Sequence, residues 1–134
     1  MKHLEVVAAI IINNGEILCM QRNVGKYDYV SYKYEFPGGK LENGESQVQA
    51  LMRELAEEMN LNVQINNDDF FMTVEHNYPD FSITMHSYIC KIDSRSFTRK
   101  EHISHTWLKV DSLDTLDWAA ADLPIVKKLK EVML

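Results

Sequence analysis

The sequence predicts an α+β sandwich in which a mixed β-sheet is combined with one central and one terminal helix. Apolar strand-like segments open the chain and recur in its second half, the apolar period becomes helical after residue 46, and a second helical segment closes the chain. Because the strands do not alternate regularly with helices, this order fits an α+β sandwich better than a doubly wound parallel sheet.

Length and charge limit the organisation of the protein and its partners. The chain has 134 residues, and residues 1–134 are predicted to form a single domain. Its 20 acidic and 14 basic residues give a formal charge of −6, which argues against a nucleic-acid polymer as partner, because such binding depends on surplus Lys and Arg. A small phosphorylated ligand stays compatible with this charge, since a bound metal ion reverses the local sign.

The cysteines and the first apolar run bear on the location of the protein. Cys19 and Cys90 are isolated in apolar segments, which favours two buried thiols in a reducing cytosol over a disulfide framework or a metal site. The apolar run at residues 6–12 is too short to span a membrane and lacks the cleavage site of a secretory signal. We therefore expect a cytoplasmic protein without a membrane partner.

The first half of the chain predicts a hairpin followed by a loop. Residues 4–12 are rich in Val and Ile and predict a buried strand, and an Asn-Asn-Gly turn leads into a partner strand at residues 16–22. Residues 23–33 are polar and aromatic and predict a loop. Residues 34–36 predict a short strand that Pro37 and the two following glycines end.

A central helix is predicted from residue 46 onward. Ser46 is placed as its N-cap, and Asn60 as a left-handed C-terminal cap in the position that Gly most often takes. Its apolar face consists of residues at helical spacing, namely Val48, Leu51, Met52, Leu55 and Met59.

Three further strands and a second helix complete the prediction. The strands are expected at residues 70–76, 81–92 and 105–110. Asp122 followed by Pro124 predicts the start of the terminal helix, with the Asp as its cap and the Pro in its first turn.

Glu54, Glu57 and Glu58 lie three and four residues apart and therefore share one arc of the central helix. Three like charges this close destabilise a helix unless a cation binds them, and Mg²⁺ prefers carboxylate oxygens and bridges them to phosphates. The competing interpretation is a solvated acidic face, the usual role of a Glu-rich helix surface.

The residues before this helix favour the metal site over the solvated face. Gly38 and Gly39 permit close backbone approach and expose carbonyls that can ligate a metal, and Lys40 supplies a cation for phosphate. Glu45 is close enough to add a fourth carboxylate or to orient Arg53. Carboxylates, glycines and cations around one helix start therefore predict a metal–phosphate site.

The spacing of these residues resembles the Nudix box. Gly39, five residues, Glu45, seven residues and then Arg-Glu-Leu-Ala-Glu-Glu-Met-Asn-Leu at residues 53–61 match the pattern Gly-x5-Glu-x7-Arg-Glu-aliphatic-x-Glu-Glu-x-Gly-aliphatic at every defining position but one. The departure is Asn60 in place of the second Gly. Because Asn tolerates the left-handed conformation, we expect the loop to be kept and activity to be little affected.

The similarity extends to the MutT branch of the Nudix family, which includes sanitising hydrolases of oxidised nucleotides and CTP pyrophosphohydrolases. Residues 34–40, Tyr-Glu-Phe-Pro-Gly-Gly-Lys, resemble the lead-in to the box in that branch. Arg22 matches a phosphate-contacting Arg, Tyr78 an aromatic residue of the base pocket, Glu101 an additional metal-ligating Glu, and Asp122 a base-reading residue.

The resemblance implies a Nudix α/β/α sandwich with a mixed sheet, in which the box forms a loop–helix–loop and the chain ends in a helix. It implies a Mg²⁺ or Mn²⁺ cofactor and a water that attacks phosphorus in line. Glu54 is expected to act as base or water-orienting group, with Glu101 second, whereas Arg53 pairs with Glu45. Arg22 and Lys40 are expected to bind phosphates. The implied metal ligands are Gly38, Glu54, Glu57, Glu58 and Glu101.

Base recognition is expected at Tyr78 and Asp122. Tyr78 either lines the base pocket or packs on the surface. An ionised Asp122 suits the cytosine N4 amine, a protonated one could donate to a purine carbonyl, and a plain helix cap is the alternative. The sequence favours a pyrophosphohydrolase of CTP or dCTP, including modified cytosines, ahead of 8-oxo-dGTP.

Three alternatives to the cytosine nucleotide remain open. They are an 8-oxo-dGTP diphosphatase of the MutT type, a hydrolase of another substrate with a nucleoside diphosphate linkage, and a catalytically silent binding module. The full carboxylate set argues against the silent module, because a protein that only binds does not need it. The expected partner is a small nucleotide, and the oligomeric state is expected to be a monomer or homodimer.

Overall fold

A mixed sheet forms the middle layer of the protein. In the computed structural model, which describes residues 1–133, its strands are β1 (Lys2–Asn13), β2 (Glu16–Gln21), β3 (Tyr34–Glu35), β4 (Gly38–Lys40), β5 (Phe70–Asn77), β6 (Phe81–Lys91) and β7 (Ser104–Leu108). They run in the order β3-β2-β1-β6-β5, with β4 also paired to β1 and β7 to β2. Strands β1 and β6 are parallel, and the other pairings are antiparallel.

Strand β1 is covered on both faces because a helix packs on each side of the sheet. Its odd-numbered residues, such as Ala9, join the core under α1 (Gln47–Met59), and its even-numbered residues, such as Ile10, join the core under α2 (Leu123–Val132). This two-sided burial explains the uninterrupted apolar run in the sequence, since neither face meets water. The predicted α/β/α sandwich with a mixed sheet is confirmed.

The boundaries of α1 follow from its caps, as predicted. The Ser46 hydroxyl accepts a hydrogen bond from the Gln49 amide at 3.2 Å, and the Gln49 side chain accepts one from the Ser46 amide at 2.9 Å. Together they form a capping box. At the other end Asn60 adopts the left-handed conformation, with φ 50° and ψ 32°, and its amide donates to the Ala56 carbonyl.

The start of α2 differs from the prediction in one respect. Pro124 lies in the first turn as expected, but the Asp122 side chain makes no capping hydrogen bond. Asp122 ends a short 3₁₀ turn with φ −86° and ψ −18°, whereas a capping residue is normally extended. Its carboxylate instead accepts a hydrogen bond from the Phe36 amide at 3.1 Å. Asp122 therefore occupies the N-cap position, as predicted, but the expectation that its side chain caps the helix is wrong.

The segment after Pro37 also departs from the prediction, because Gly38 and Gly39 belong to β4 and pair with β1. A Cβ on Gly38 would collide with the Val7 backbone, so only glycine permits this close approach. The last predicted strand ends earlier than expected, since residue 110 begins a 3₁₀ turn, Val110–Thr115.

The remaining expectations about burial are met. Cys19 and Cys90 are both buried and free, and burial raises the pKa of the Cys19 thiol to about 12 and that of Cys90 to about 11. Within residues 1–133 no helix is long and apolar enough to cross a membrane.

Truncation of the buried face of α1 tests the importance of this layer. Leu55 is 1% exposed between α1 and the sheet, so Leu55→Ala is expected to lower the free energy of unfolding by about 2–5 kcal/mol through the cavity that it leaves. Leu123→Ala is the matched control, because Leu123 is 50% exposed in α2 and its loss should cost well under half as much. Urea unfolding of both variants measures the difference, and equal losses would contradict the assigned packing.

Candidate active site

A cleft of about 620 Å³ is lined by residues of β1, β4 and α1 together with the loops around them. One end is acidic and the other is largely apolar. The cleft brings together eight of the eleven candidate residues, which come from distant parts of the chain: Arg22, Gly38, Lys40, Glu54, Glu58, Tyr78, Glu101 and Asp122. Glu45, Arg53 and Glu57 are not part of its lining.

Arg53 links the box loop to the helix. Its guanidinium donates to both carboxylate oxygens of Glu45, at 2.7 and 3.0 Å, and to Glu54 at 3.0 Å and Glu57 at 3.2 Å. A further hydrogen bond reaches the Lys40 carbonyl at 3.0 Å. The bond from Arg53 lowers the pKa of Glu45. The expected pairing of Arg53 with Glu45 is thus present, and its two-pronged geometry fixes the loop that leads into α1.

The carboxylate of Glu54 occupies the space that a side chain on residue 39 would need. A Cβ built on Gly39 collides with all three terminal atoms of Glu54, so the glycine is required for this placement. Burial raises the pKa of Glu54 and outweighs the opposing hydrogen bond from Arg53, while the charges of Glu57 and Glu101 add to the rise. A carboxylate with a raised pKa is suited to accept a proton near neutral pH.

Glu58 and Glu101 bring two more carboxyl groups to the acidic end. Burial raises the pKa of Glu58, and the Glu101 carboxylate within hydrogen-bonding reach raises it further. Among residues 1–133 no three acidic, His or Cys side chains already converge on one ion position, and Glu57 is turned toward Arg53. The donor set still fits a hard divalent cation, because oxygen ligands held close against their mutual repulsion gain stability when a cation binds.

A half-buried ionic network in the wall of the cleft was not predicted from the sequence. Glu35 accepts hydrogen bonds from Arg22 at 2.9 Å and from His102 Nε2 at 2.8 Å. Burial alone would raise the pKa of Glu35, but the bond from His102 and the charge of Arg22 outweigh it and lower the pKa. The one sequence signal was an acidic residue between two aromatic residues in a short strand. Arg22 is therefore held against the cleft wall by Glu35.

The apolar end of the cleft is closed by Tyr78 and Asp122. The Tyr78 hydroxyl accepts a hydrogen bond from the Ala121 amide at 2.9 Å, and the ring packs against Phe81 and Tyr29 at centroid distances of 4.9 and 5.4 Å. Tyr78 is only 6% exposed, which excludes the alternative of a surface-packed residue. Burial and the charge of Glu35 raise the pKa of Asp122 well above its ordinary value.

The loop at residues 23–33 contributes to this aromatic cluster, which sequence reasoning missed. Tyr27 and Tyr29 stack on each other at 5.3 Å, and the Tyr29 hydroxyl donates to Asp80 at 2.9 Å. The two tyrosines lie in a loop without a helix or strand, so no apolar period in the sequence indicated that they pack together. The stack attaches the loop to the turn between β5 and β6.

Two further ring side chains, His86 and Trp118, lie outside the lining of the cleft. His86 contacts Glu5 and Thr73 on the sheet surface, at 3.2 and 2.9 Å. Trp118 is buried and stacks on Phe36 at 4.8 Å, so it belongs to the core under α2.

Comparison with known proteins identifies relatives along nearly the whole chain. A family model described as NUDIX domain matches residues 6–128. The 8-oxo-dGTP diphosphatase of Escherichia coli (strain K12) is 33% identical over 133 residues, which cover 98% of this chain and 100% of that protein. The CTP pyrophosphohydrolase of the same organism is 32% identical over 127 residues, which cover 95% and 91%.

Solved structures give the same relationship. The E. coli ORF135 protein has a TM-score of 0.79 and 31% identity, with 99% of this chain and 92% of that chain covered. MutT from methicillin-resistant Staphylococcus aureus 252 has a TM-score of 0.74 and 37% identity, with 98% of each chain covered.

The two neighbouring glycines give a sharp test of how Glu54 is placed. Gly39→Ala is expected to leave the fold intact and displace the Glu54 carboxylate toward solvent, because the new methyl meets only the end of a flexible side chain. The pKa of Glu54 should then fall toward its ordinary value in a carboxyl NMR titration. Gly38→Ala is the contrast, since its methyl meets backbone and should cost about 1–3 kcal/mol of stability. An unchanged Glu54 titration in Gly39→Ala would exclude this account.

Proposed function

Since the chain belongs to the NUDIX domain family, we propose that it is a metal-dependent nucleoside triphosphate pyrophosphohydrolase that releases a nucleoside monophosphate and pyrophosphate. The observation that carries this proposal is a single cleft with a carboxylate cluster at one end and an apolar pocket with a buried carboxyl group at the other. The two E. coli relatives described above, both named as nucleotide hydrolases, support it.

Nudix hydrolases generally use a divalent metal, and the proposed ion here is Mg²⁺ or Mn²⁺. When bound, the ion neutralises phosphate charge and lowers the pKa of a bound water. The proposed ligands combine a backbone carbonyl with carboxylates: Gly38, Glu54, Glu57, Glu58 and Glu101. For Glu57 this role requires its carboxylate to turn away from Arg53.

Glu54 is proposed to take the proton of the attacking water or to orient that water. Its support is the burial that raises its pKa, since a general base works best when its pKa approaches the working pH. Glu101 is the second choice, because it also lies in the cleft. Arg53 and Glu45 are proposed to act by fixing the loop and the helix start rather than by touching substrate.

Arg22 and Lys40 are proposed to bind the phosphates. Both line the same cleft as the carboxylates and Asp122, so they are within the space that a triphosphate joined to a base would fill. The contact with Glu35 orients the Arg22 guanidinium, and a planar guanidinium in a fixed position suits two-pronged recognition of phosphate oxygens.

The base is proposed to be cytosine, in CTP, dCTP or a modified form. One Asp122 oxygen is engaged by the Phe36 amide, which leaves the other to accept from the cytosine N4 amine. The second candidate is 8-oxo-dGTP, favoured by the relative that matches over its full length. The raised pKa of Asp122 suits this candidate, since a protonated carboxyl group could donate to a purine carbonyl.

The proposed location is the cytoplasm, where the free thiols of Cys19 and Cys90 stay reduced. The proposed partner is a small nucleotide rather than a nucleic-acid polymer, in keeping with the net charge of −6, and the protein acts as a monomer or homodimer.

Neutral replacements of the box carboxylates test the proposed chemistry. Glu54→Gln and Glu57→Gln are each expected to reduce turnover by about 10²–10⁴-fold through loss of base or metal function. Mg²⁺-dependent pyrophosphate release measures the rate, and circular dichroism checks that the fold is kept. Glu131→Gln, an exposed replacement on α2, is the control and should retain the normal rate. Near-normal rates in both box variants would refute the catalytic assignment.

A substrate panel decides the base. We expect kcat/KM to be higher for CTP, dCTP and 5-methyl-dCTP than for dGTP and 8-oxo-dGTP at matched concentrations, and a preference for 8-oxo-dGTP would overturn the cytosine proposal. Asp122→Asn should lower the ratio of cytosine to guanine activity at least about tenfold, because an amide offers a donor where the carboxylate accepted. If the ranking does not change, Asp122 does not read the base.

A further inference from the structure

The segment between β6 and β7 crosses the C-terminal end of α1 and is attached there. The Thr98 amide donates to the Met59 carbonyl at 2.9 Å. Lys100 Nζ donates to the Glu57 carbonyl and to Asn60 Oδ1, both at 2.9 Å. Asn60 Nδ2 in turn donates to Thr98 Oγ1 at 3.2 Å. Two of the four contacts therefore depend on the Asn60 side chain.

The backbone conformation at residue 60 does not require the two contacts of the Asn60 side chain. The left-handed conformation at Asn60 satisfies the end of the helix, and glycine would adopt it with less strain than any residue with a side chain. What asparagine adds is one acceptor and one donor, and both are used by the segment at residues 98–100. The substitution in the box thus coincides with an attachment that glycine cannot make.

The residue next to this attachment needs to be held in place. Glu101 follows Lys100 and lies within hydrogen-bonding reach of Glu58, although two carboxylates repel each other. On its other side, His102 donates to Glu35 at 2.8 Å and the Ile103 amide donates to the Gln21 carbonyl at 3.0 Å. Glu101 is therefore supported from both neighbours, from α1 on one side and from the sheet on the other.

We propose that Asn60 is a positioning residue whose side chain, through Thr98 and Lys100, holds Glu101 against the carboxylate face of α1. The inference rests on the proposed function for the role of Glu101 as a metal ligand. It revises the expectation that Asn60 is a neutral replacement for glycine, because the side chain has a task that the backbone does not share.

Asn60→Gly tests the proposal, since it keeps the left-handed backbone and removes only the side-chain contacts. Hydrogen–deuterium exchange of the metal-free full chain should be about tenfold faster in peptides that cover residues 98–103 and unchanged in the core strands. Mn²⁺ binding, followed by electron paramagnetic resonance, should weaken about tenfold, the lower end of the loss expected when support for a ligand is removed. The proposal fails if either quantity equals that of the unaltered protein.

Asn14→Gly is the matched control. Asn14 also has a positive φ, 51°, and lies in the β1–β2 turn with an exposed side chain. It undergoes the same chemical change and the same gain in backbone freedom, so it should alter neither the exchange of residues 98–103 nor Mn²⁺ affinity. If Asn14→Gly weakens Mn²⁺ binding as much as Asn60→Gly, the effect belongs to glycine in general and the proposal is wrong.

Lys100→Met tests the same attachment from the other partner. Loss of a nearby cation by itself would tighten Mn²⁺ binding, so weaker binding by this variant supports the attachment. The double variant of Asn60→Gly and Lys100→Met should lose less affinity than the sum of the two single losses, because either change breaks the shared Asn60–Lys100 contact; fully additive losses would overturn the proposal. None of these measurements needs turnover, so failure of the nucleotide assays would reject the proposed function and leave this test intact.

Discussion

The candidate site contains carboxylates that lie close together in spite of their like charge. Arg53 stabilises this arrangement by donating hydrogen bonds to three of them. One guanidinium contacts Glu45, Glu54 and Glu57 together with the Lys40 carbonyl. A planar group with donors in fixed directions can satisfy several acceptors from different segments at once, which the compact ammonium of lysine cannot do. The loop before α1, the middle of α1 and the end of β4 are thereby joined through one side chain.

The sheet gives this unit a rigid support. Strand β1 is buried on both faces and pairs with β6 along most of its length, while β4 pairs with its opposite side. Gly38 and Gly39 act in different ways within that short strand. The first permits contact with the backbone of β1, and the second leaves space for the Glu54 carboxylate. Of these two adjacent glycines, Gly38 thus serves the packing of the sheet and Gly39 the placement of the Glu54 carboxylate.

Several polar groups in the cleft conflict with folding stability and are held by partners. Glu35 is half-buried and paired with Arg22 and His102, and the buried Asp122 has a raised pKa in spite of the Phe36 amide. Burial of such groups without partners is costly, so these positions do not gain stability from the core, which is in keeping with the functional roles proposed for Arg22 and Asp122. The same holds for Glu101, which lies beside Glu58 only because its neighbours are attached on both sides.

The sequence by itself determined the features that depend on local spacing. The apolar run of β1, the helical period and caps of α1, and the fixed positions of the box carboxylates are all contained within short segments, so periodicity and motif predicted them. Element boundaries were less accurate at β4 and β7, where pairing across the sheet decided the outcome.

Only the tertiary structure decided the features that join distant segments. The Asp122 side chain was expected to cap α2 and instead accepts from the Phe36 amide. Tyr29, in the loop at residues 23–33, stacks on Tyr78. Asn60 contacts Lys100, which is 40 positions further along the chain. No local pattern encodes such contacts, because each partner is brought into reach only when the strands between them have paired. For that reason the positions of the box residues could be predicted from the sequence, whereas the contacts around Tyr78 and Asp122 and those beside Glu101 could not.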